Sequence, residues 1–166
     1  MMDRELAALS AETGTWLGAR GMRLASAESC TGGWIAEVVT ATAGSSTWFD
    51  CGFVTYSNEA KQDLLGVRAA TLADFGAVSE ETVREMVAGT LARSRADLAL
   101  AVSGVAGPGG GTAAKPVGMV CFAWGRREAG ISSETRHFSG DREAVRRQAV
   151  IRALRGIMTY DLPVGR

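Results

Sequence analysis

The sequence predicts an α/β fold with a mixed, mostly parallel sheet and helices on both faces. Stretches with helical spacing of apolar residues alternate with short apolar runs of strand length. The run DLALAVS at 97–103 has the continuous hydrophobic character of a strand that is covered on both faces. A length of 166 residues favours a single domain over 1–166.

The elements of the first half are indicated by apolar stripes and capping residues. Ile35, Val38 and Val39 share one face of a helix, and Ser57 and Gly66 are suited to begin and end another. The predicted elements are a helix over 3–20, a strand over 22–27, a helix over 31–41, a strand over 50–56 and a helix over 57–65.

The second half begins with a helix at Ser79, where Glu80 and Glu81 place acidic side chains in the first turn, as the helix dipole favours. Strands are predicted over 97–103, 117–124 and 131–138, followed by a helix from Asp141 to about Met158. The predicted order is therefore α-β-α-β-α-α-β-β-β-α. Sites in such sheets collect at the carboxyl ends of the strands, where segments 27–33, 56–61 and 103–116 fall.

The composition argues against several functional classes. Basic and acidic residues number 18 each, so the net charge of 0 argues against a nucleic-acid binder with a strong positive field. The apolar runs are far shorter than the ~20 residues of a membrane span, so no membrane partner is expected. The N-terminal stretch MMDRELAALS lacks a signal-peptide core, which predicts a cytoplasmic location.

The counts of histidine, cysteine and lysine limit the chemistry. His137 is the single histidine, and three cysteines without CxxC spacing make a metal site or a disulfide framework unexpected. His137 has no obvious carboxylate partner and is interpreted as an edge-strand residue. Only Lys61 and Lys115 are lysines among the 18 basic residues, and lysine, unlike arginine, becomes neutral when buried.

The segment AESCTGG at 27–33 joins a strand to a helix. Gly32 and Gly33 permit a sharp turn, and the helix start offers N–H groups to a ligand. Ser29 is placed there as a candidate nucleophile with an oxyanion site beside it. The alternative is that Ser29 and Thr31 only cap the helix.

Lys61 lies in the helix that Ser57 caps, near the mouth of the same sheet. A partly buried lysine has a lowered pKa and can act as a general base, so a Ser–Lys pair is a hypothesis here. The alternative is a solvated surface lysine.

Two further segments could contact a substrate. The glycine-rich loop after Ser103, which includes Gly104 and Gly107, could hold a phosphate through its backbone or could be a flexible surface loop. It is not a P-loop, because GxxxxGK[ST] is absent. Arg142 and Arg146 lie four residues apart on the last helix and share one of its faces. They could bind a phosphate together, or they could form a solvated surface.

Together these segments resemble the CinA C-terminal domain family. The resemblance is carried by the strings AESCTGG, GSSTWFDCGFVTYSNEAKQDLLGV, GAVSEETVREMVAGT and SGVAGPGGGTAAKPVG. It runs from Leu24 to Trp124 and more weakly to the last helix. It implies a three-layer α/β/α domain whose enzymatic relatives hydrolyse the carboxamide of nicotinamide mononucleotide (NMN) without a metal or cofactor. The molybdopterin-like N-terminal domain of many family proteins is not expected here.

By resemblance, Ser29 matches the nucleophile, Lys61 the base and Tyr56 a supporting hydroxyl. The matching substrate-binding positions are Thr31, Gly32, Gly33, Ser103, Gly104, Gly107 and Arg142. Ser103 stands where the family more often has threonine. Lys115, in KPVG, is expected to be a loop or ligand-rim residue.

Two other hypotheses remain at this point. The domain could bind a nucleotide or phosphate without turnover, or Cys30 could be the nucleophile. A homo-oligomer, a dimer or larger, is expected, and Trp48 and Phe49 are suggested as a dimer contact.

Overall fold

The computed structural model describes residues 3–159, and this range forms five strands and six α-helices. The helices are α1 (Arg4–Gly18), α2 (Trp34–Thr40), α3 (Asn58–Leu65), α4 (Ala69–Phe75), α5 (Glu80–Ala92) and α6 (Arg142–Thr159). The strands are β1 (Leu24–Glu28), β2 (Phe49–Val54), β3 (Leu98–Gly104), β4 (Met119–Arg126) and β5 (Ile131–His137). A 3-10 turn, Ser45–Thr47, precedes β2.

The strands form one mixed sheet in the order β2-β1-β3-β4-β5. Strand β1 pairs in parallel with β2 and with β3, whereas β4 is antiparallel to both of its neighbours. Four of the five strands therefore point the same way. The prediction of a mixed sheet is confirmed, and the carboxyl ends of β1, β2 and β3 meet at one edge.

Helices cover both faces of the sheet, which confirms the three-layer α/β/α arrangement. Alternate residues of β3 face opposite layers: Leu98, Leu100 and Val102 pack toward α1, α2 and α6, whereas Ala99 and Ala101 pack toward α3 and α5. The small alanines let α5 lie close to the sheet. The helix residues of the first layer include Leu6, Leu17, Ile35, Val39, Ala149 and Leu154, and those of the second include Leu65, Val83, Met86 and Val87.

The caps predicted from the sequence are present at three helices. Ser57 Oγ accepts the N–H of Ala60 at 3.0 Å, and Gly66 ends α3 in the left-handed region. Ser79 Oγ accepts the N–H of Thr82 at 3.2 Å, and Asp141 Oδ1 accepts the N–H of Ala144 at 2.9 Å. These caps fix where α3, α5 and α6 begin.

Several elements differ from the sequence predictions. The helix predicted over 31–41 begins only at Trp34, because Gly32 and Gly33 have φ of 62° and 100°. Helix α4 was not predicted, since its seven residues bury little more than Thr71. Strand β4 begins at Met119 rather than at 117, after Gly118 with φ of 93°.

The suggested dimer contact at Trp48 is wrong. The Trp48 side chain is only 6% exposed and packs inside the first layer, over Gly14 of α1. Phe49 is half-buried against the same core. His137 is exposed at the end of the edge strand β5, as interpreted from the sequence. No helix in the described range 3–159 combines the length and hydropathy needed to cross a bilayer.

Candidate active site

The candidate site lies where β1, β2 and β3 end. Side chains alternate along β1, so Glu28 faces the α2 layer whereas Ser29, the next residue, faces the α3 layer. The N–H of Ser29 donates to Val102 O at 3.0 Å, which extends the pairing with β3 by one residue. Ser29 is thus held by backbone on the side of the sheet where α3 lies.

Lys61 meets Ser29 at this point. Its Nζ lies 3.0 Å from Ser29 Oγ and 2.7 Å from Thr55 O, the backbone carbonyl just after β2. Lys61 occupies the fourth position of α3. Because a helical side chain points back toward the N-terminus of its helix, the Lys61 side chain extends toward the end of β2. The alternative of a solvated surface lysine is wrong, since Lys61 is only 1% exposed.

Burial lowers the pKa of Lys61 below its ordinary value. Both of its hydrogen-bond partners are neutral oxygen atoms. Burial therefore makes the neutral amine, the form that can accept a proton, easier to reach than it is for an exposed lysine.

Cys30 is buried in the core, and this burial raises the pKa of its thiol to about 12. A thiol reacts as the thiolate. At neutral pH the Cys30 side chain is therefore held in its unreactive form, although it lies next to Ser29 in sequence.

Glu28 is a residue of this site that the sequence did not predict. It is fully buried, and its two carboxylate oxygens accept the N–H groups of Ile35 at 2.9 Å and Ala36 at 3.1 Å. The first N–H groups of α2, which were predicted to face a ligand, are therefore already bonded. A signal was present in the sequence: Glu28 is the one charged residue at the end of the otherwise uncharged strand LASAE.

The turn between β1 and α2 retains N–H groups of its own. Gly32 N donates to Ser29 O and Trp34 N donates to Thr31 O. Within residues 3–159, the N–H groups of Thr31 and Gly33 have no acceptor. These two donors can serve a ligand that reaches the turn.

Arg142 connects the other segments of the site. Its Nη1 donates to Gly107 O at 2.8 Å and its Nη2 donates to the Tyr56 hydroxyl at 3.2 Å. Tyr56 is 63% exposed and lies at the rim rather than against Lys61. Arg146, one turn along α6, donates to the carbonyls of Cys30 and Thr31 at 3.0 and 3.1 Å. The two arginines therefore face the site together.

Ser103 and Gly104 lie beside the Ser–Lys pair at the end of β3. Ser103 is buried, and its hydroxyl donates to Ala77 O at 2.8 Å, which ties it to the connection between α4 and α5. A Cβ on Gly104 would lie 2.7 Å from Val120 Cγ2, so the packing against β4 requires glycine there.

Two cavities open at this edge of the sheet, and Arg142 lines both. The smaller, about 210 Å³, is lined by Ser29, Cys30, Tyr56, Lys61, Ala77, Val78, Ser103, Gly104, Ala106 and Arg142. The larger, about 540 Å³, is lined by Thr31, Gly32, Gly33, Trp34, Glu37, Arg142, Glu143 and Arg146. The predicted site residues thus line one or the other cavity, except Gly107, whose carbonyl holds Arg142. Within the described range, no three His, Cys, Asp or Glu side chains are grouped to hold a metal ion.

Comparison with known proteins identifies the family. The family model described as the CinA C-terminal domain matches residues 6–160. The nicotinamide-nucleotide amidohydrolase PncC of Escherichia coli is 55% identical over 154 residues, which make up 93% of each chain. The PncC of Pseudomonas putida is 56% identical over 136 residues, 82% of this chain and 84% of that one.

The crystal structure of competence/damage inducible protein CihA from Agrobacterium tumefaciens has the same fold. It superposes with a TM-score of 0.91 at 43% identity and covers 95% of this chain and 96% of its own. Since the family model spans nearly the whole sequence and the relatives match along most of their length, the chain belongs to the CinA C-terminal domain family.

Proposed function

We propose that this protein hydrolyses the carboxamide of NMN to nicotinic acid mononucleotide and ammonia by a Ser–Lys mechanism. The observation that carries the proposal is the 3.0 Å contact between Lys61 Nζ and Ser29 Oγ in a buried pocket. The naming of relatives at 55% and 56% identity as nicotinamide-nucleotide amidohydrolases supports the choice of substrate.

The first half of the reaction acylates Ser29. Ser29 Oγ attacks the carboxamide carbon while neutral Lys61 takes the hydroxyl proton. The C–N bond then breaks, and the Lys61 ammonium returns that proton to the departing nitrogen, which leaves as ammonia. The carbonyl of Thr55, at 2.7 Å, holds Lys61 Nζ in place throughout.

The second half releases the acid. Water attacks the ester carbon, and Lys61 takes the proton of this water as the new bond forms. The ester bond to Ser29 breaks, the proton passes from Lys61 to Ser29 Oγ, and the second proton of the water stays on the new acid and is lost to solvent, so that nicotinic acid mononucleotide leaves as the carboxylate. Both halves use one base in one position.

The oxyanion in these steps needs N–H donors. Because Glu28 occupies the N–H groups of Ile35 and Ala36, the proposal assigns this role to the turn, where Thr31 N and Gly33 N are unbonded within the described range. Thr31 and Gly33 line the larger cavity and Ser29 the smaller one, so we place the carbonyl oxygen where the two cavities meet.

The two cavities suit the two ends of a mononucleotide. The smaller, about 210 Å³, is below the ~300–1,000 Å³ of pockets for whole drug-sized ligands, so it suits the pyridinium ring and its carboxamide. The larger cavity offers Arg142 and Arg146 to the phosphate. The attachment of Arg142 to Gly107 and Tyr56 fixes where that charge lies.

Ammonia release from NMN, with product identification by chromatography, tests the proposal. We expect Ser29→Ala and Lys61→Arg each to lose at least ~10³-fold in kcat/KM, since a member of a catalytic pair is removed or cannot give up its proton. Ser46→Ala, an exposed serine near the start of β2, is the matched control and keeps wild-type activity.

The same assay separates the alternatives. A nucleotide-binding domain without turnover would bind NMN and release no ammonia. A Cys30 nucleophile would make Cys30→Ala inactive and leave Ser29→Ala active, which the raised pKa of that thiol argues against. A cytoplasmic location, a homo-oligomeric state and a single domain over 1–166 stay predictions.

A further inference from the structure

One wall of the smaller cavity is the connection between α4 and α5, residues 76–79, called the pocket wall here. Ala77 and Val78 of this wall face the cavity that holds Ser29 and Lys61. The wall is short and has no regular secondary structure. Its position therefore depends on contacts with its neighbours.

Three kinds of hydrogen bond hold the pocket wall. Ser103 Oγ donates to Ala77 O at 2.8 Å. Gly76 O accepts from the hydroxyls of Ser79 at 2.9 Å and Thr82 at 2.7 Å. At the start of the wall, Lys115 Nζ donates to Phe75 O, the last carbonyl of α4. Among residues 3–159, this last bond is the one that links the glycine-rich loop to the residue just before the wall.

Lys115 is itself fixed within that loop. Its backbone N–H donates to Thr112 Oγ1 at 3.0 Å, and Thr112 N donates to Lys115 O at 2.9 Å. These reciprocal bonds make a small rigid turn in a segment otherwise rich in glycine. The Lys115 side chain therefore starts from a turn of defined shape rather than from a flexible part of the loop.

The contact between Lys115 and the wall is close and electrostatically favourable. Gly76, next to Phe75, has φ of 79°, which favours glycine, and a Cβ there would lie 2.7 Å from Lys115 Nζ, so the amine lies directly over the start of the wall. A cation at the carboxyl end of a helix also interacts well with the helix dipole and the terminal carbonyls. Lys115 thus stabilises the end of α4 and the start of the wall.

We propose that Lys115 is a positioning residue that holds the pocket wall against the reacting end of the substrate. This inference rests on the proposed function, because the wall closes the cavity assigned to the carboxamide ring. A cavity of about 210 Å³ leaves a single-ring ligand little freedom, so a displaced wall changes how the ring is held. The chemistry at Ser29 and Lys61 is not touched directly.

The test compares Lys115→Met, which keeps the length without the charge, with Lys115→Arg, which keeps the charge. Arg84→Met is the matched control, since the Arg84 side chain donates to Ser133 on β5 and, within the described range, forms no hydrogen bond with the wall. Hydrogen exchange is measured on the segment 72–79, where the N–H of Gly76 bonds Leu72 O in the wild type. KM, kcat and the pH midpoint of kcat for NMN are measured on the same proteins.

We expect Lys115→Met to exchange about 10-fold faster at 72–79 and to raise KM about 10-fold, with kcat within about threefold and an unchanged pH midpoint. Lys115→Arg restores both values to within about twofold. If Lys115→Met fails to fold, Lys115→Gln is measured in its place.

Unchanged exchange at 72–79 in Lys115→Met overturns the proposal, and so does faster exchange with an unchanged KM. If the wild type releases no ammonia from NMN, the proposed function fails instead. The exchange comparison then still decides whether Lys115 holds the wall.

Discussion

Replacing Glu28 with glutamine tests how the Ser29 turn is held. The carboxylate accepts two N–H groups of α2, at 2.9 and 3.1 Å, and is fully buried. Glutamine keeps a similar shape but has one acceptor oxygen, so its NH₂ group faces one of the two N–H donors. One bond survives in a weaker, neutral form, and the other becomes an unfavourable contact between donors.

The size of the effect follows from these two bonds. A hydrogen bond to a charged group contributes about 1.5–3 kcal/mol to stability, and a neutral one about 0.5–1.5 kcal/mol. Losing one of the first kind and weakening the other lowers the free energy of unfolding by about 2–4 kcal/mol. For a chain of this size, that corresponds to a fall in Tm of roughly 4–15 °C.

The assay is thermal and urea unfolding followed by circular dichroism, with ammonia release from NMN measured in parallel. Glu12→Gln, an exposed change on α1, is the matched control and stays within about 0.5 kcal/mol of the wild type. Activity of Glu28→Gln should fall below that of the control even where the protein remains folded, because Ser29 directly follows the altered residue. A free energy of unfolding within about 0.5 kcal/mol of wild type would refute the reasoning.

Two further predictions concern pH. Since the proposed base acts as the neutral amine and burial lowers the pKa of Lys61, kcat/KM should rise with pH through a midpoint below the ordinary 10.5. A midpoint at or above 10.5, or a rate that falls as the pH rises, would contradict this. Burial raises the pKa of Glu134, but hydrogen bonds from Arg152 and Arg136 outweigh it and lower the pKa to about 2. This lowered pKa stabilises the fold above the ordinary value of 4.5, and the effect is lost as pH falls from there toward 2. Glu134→Gln should therefore lower the free energy of unfolding by about 1–2 kcal/mol at pH 7, after allowance for partial exposure, and by about half as much near pH 3. Urea unfolding at the two pH values measures this difference, and an equal loss at both would exclude the ion-pair explanation.

The sequence was sufficient to predict the Ser–Lys pair because two independent signals agreed. Lysine is scarce in this chain, so Lys61 stood out by composition, and Ser29 lay between a strand and two glycines. The parallel order of β1 and β2 then required these residues to meet at one edge, as they do.

Other parts of the site could not be predicted, for identifiable physical reasons. The late start of α2 depends on the φ values of Gly32 and Gly33, and a glycine letter permits both helical and left-handed conformations. Ala77 and Val78 carry no chemical signal, and they reach the cavity only because α4, too short to show a clear apolar period, places them there. The sequence suggested that Trp48 is exposed, because its burial depends on packing over Gly14, which lies 34 positions earlier in the chain.

The position of β1 between β2 and β3 has a consequence for how such a site can change. The chain leaves β1 through α2 on one face of the sheet and reaches β3 through α5 on the other. The two cavities are therefore lined largely by residues from opposite helical layers. Arg146 and Trp34 come from the first layer, whereas Lys61 and the pocket wall come from the second. On the proposed function, substitutions in α2 and α6 would change which nucleotide tail is accepted and leave Ser29 and Lys61 as they are, so that specificity and chemistry could evolve separately.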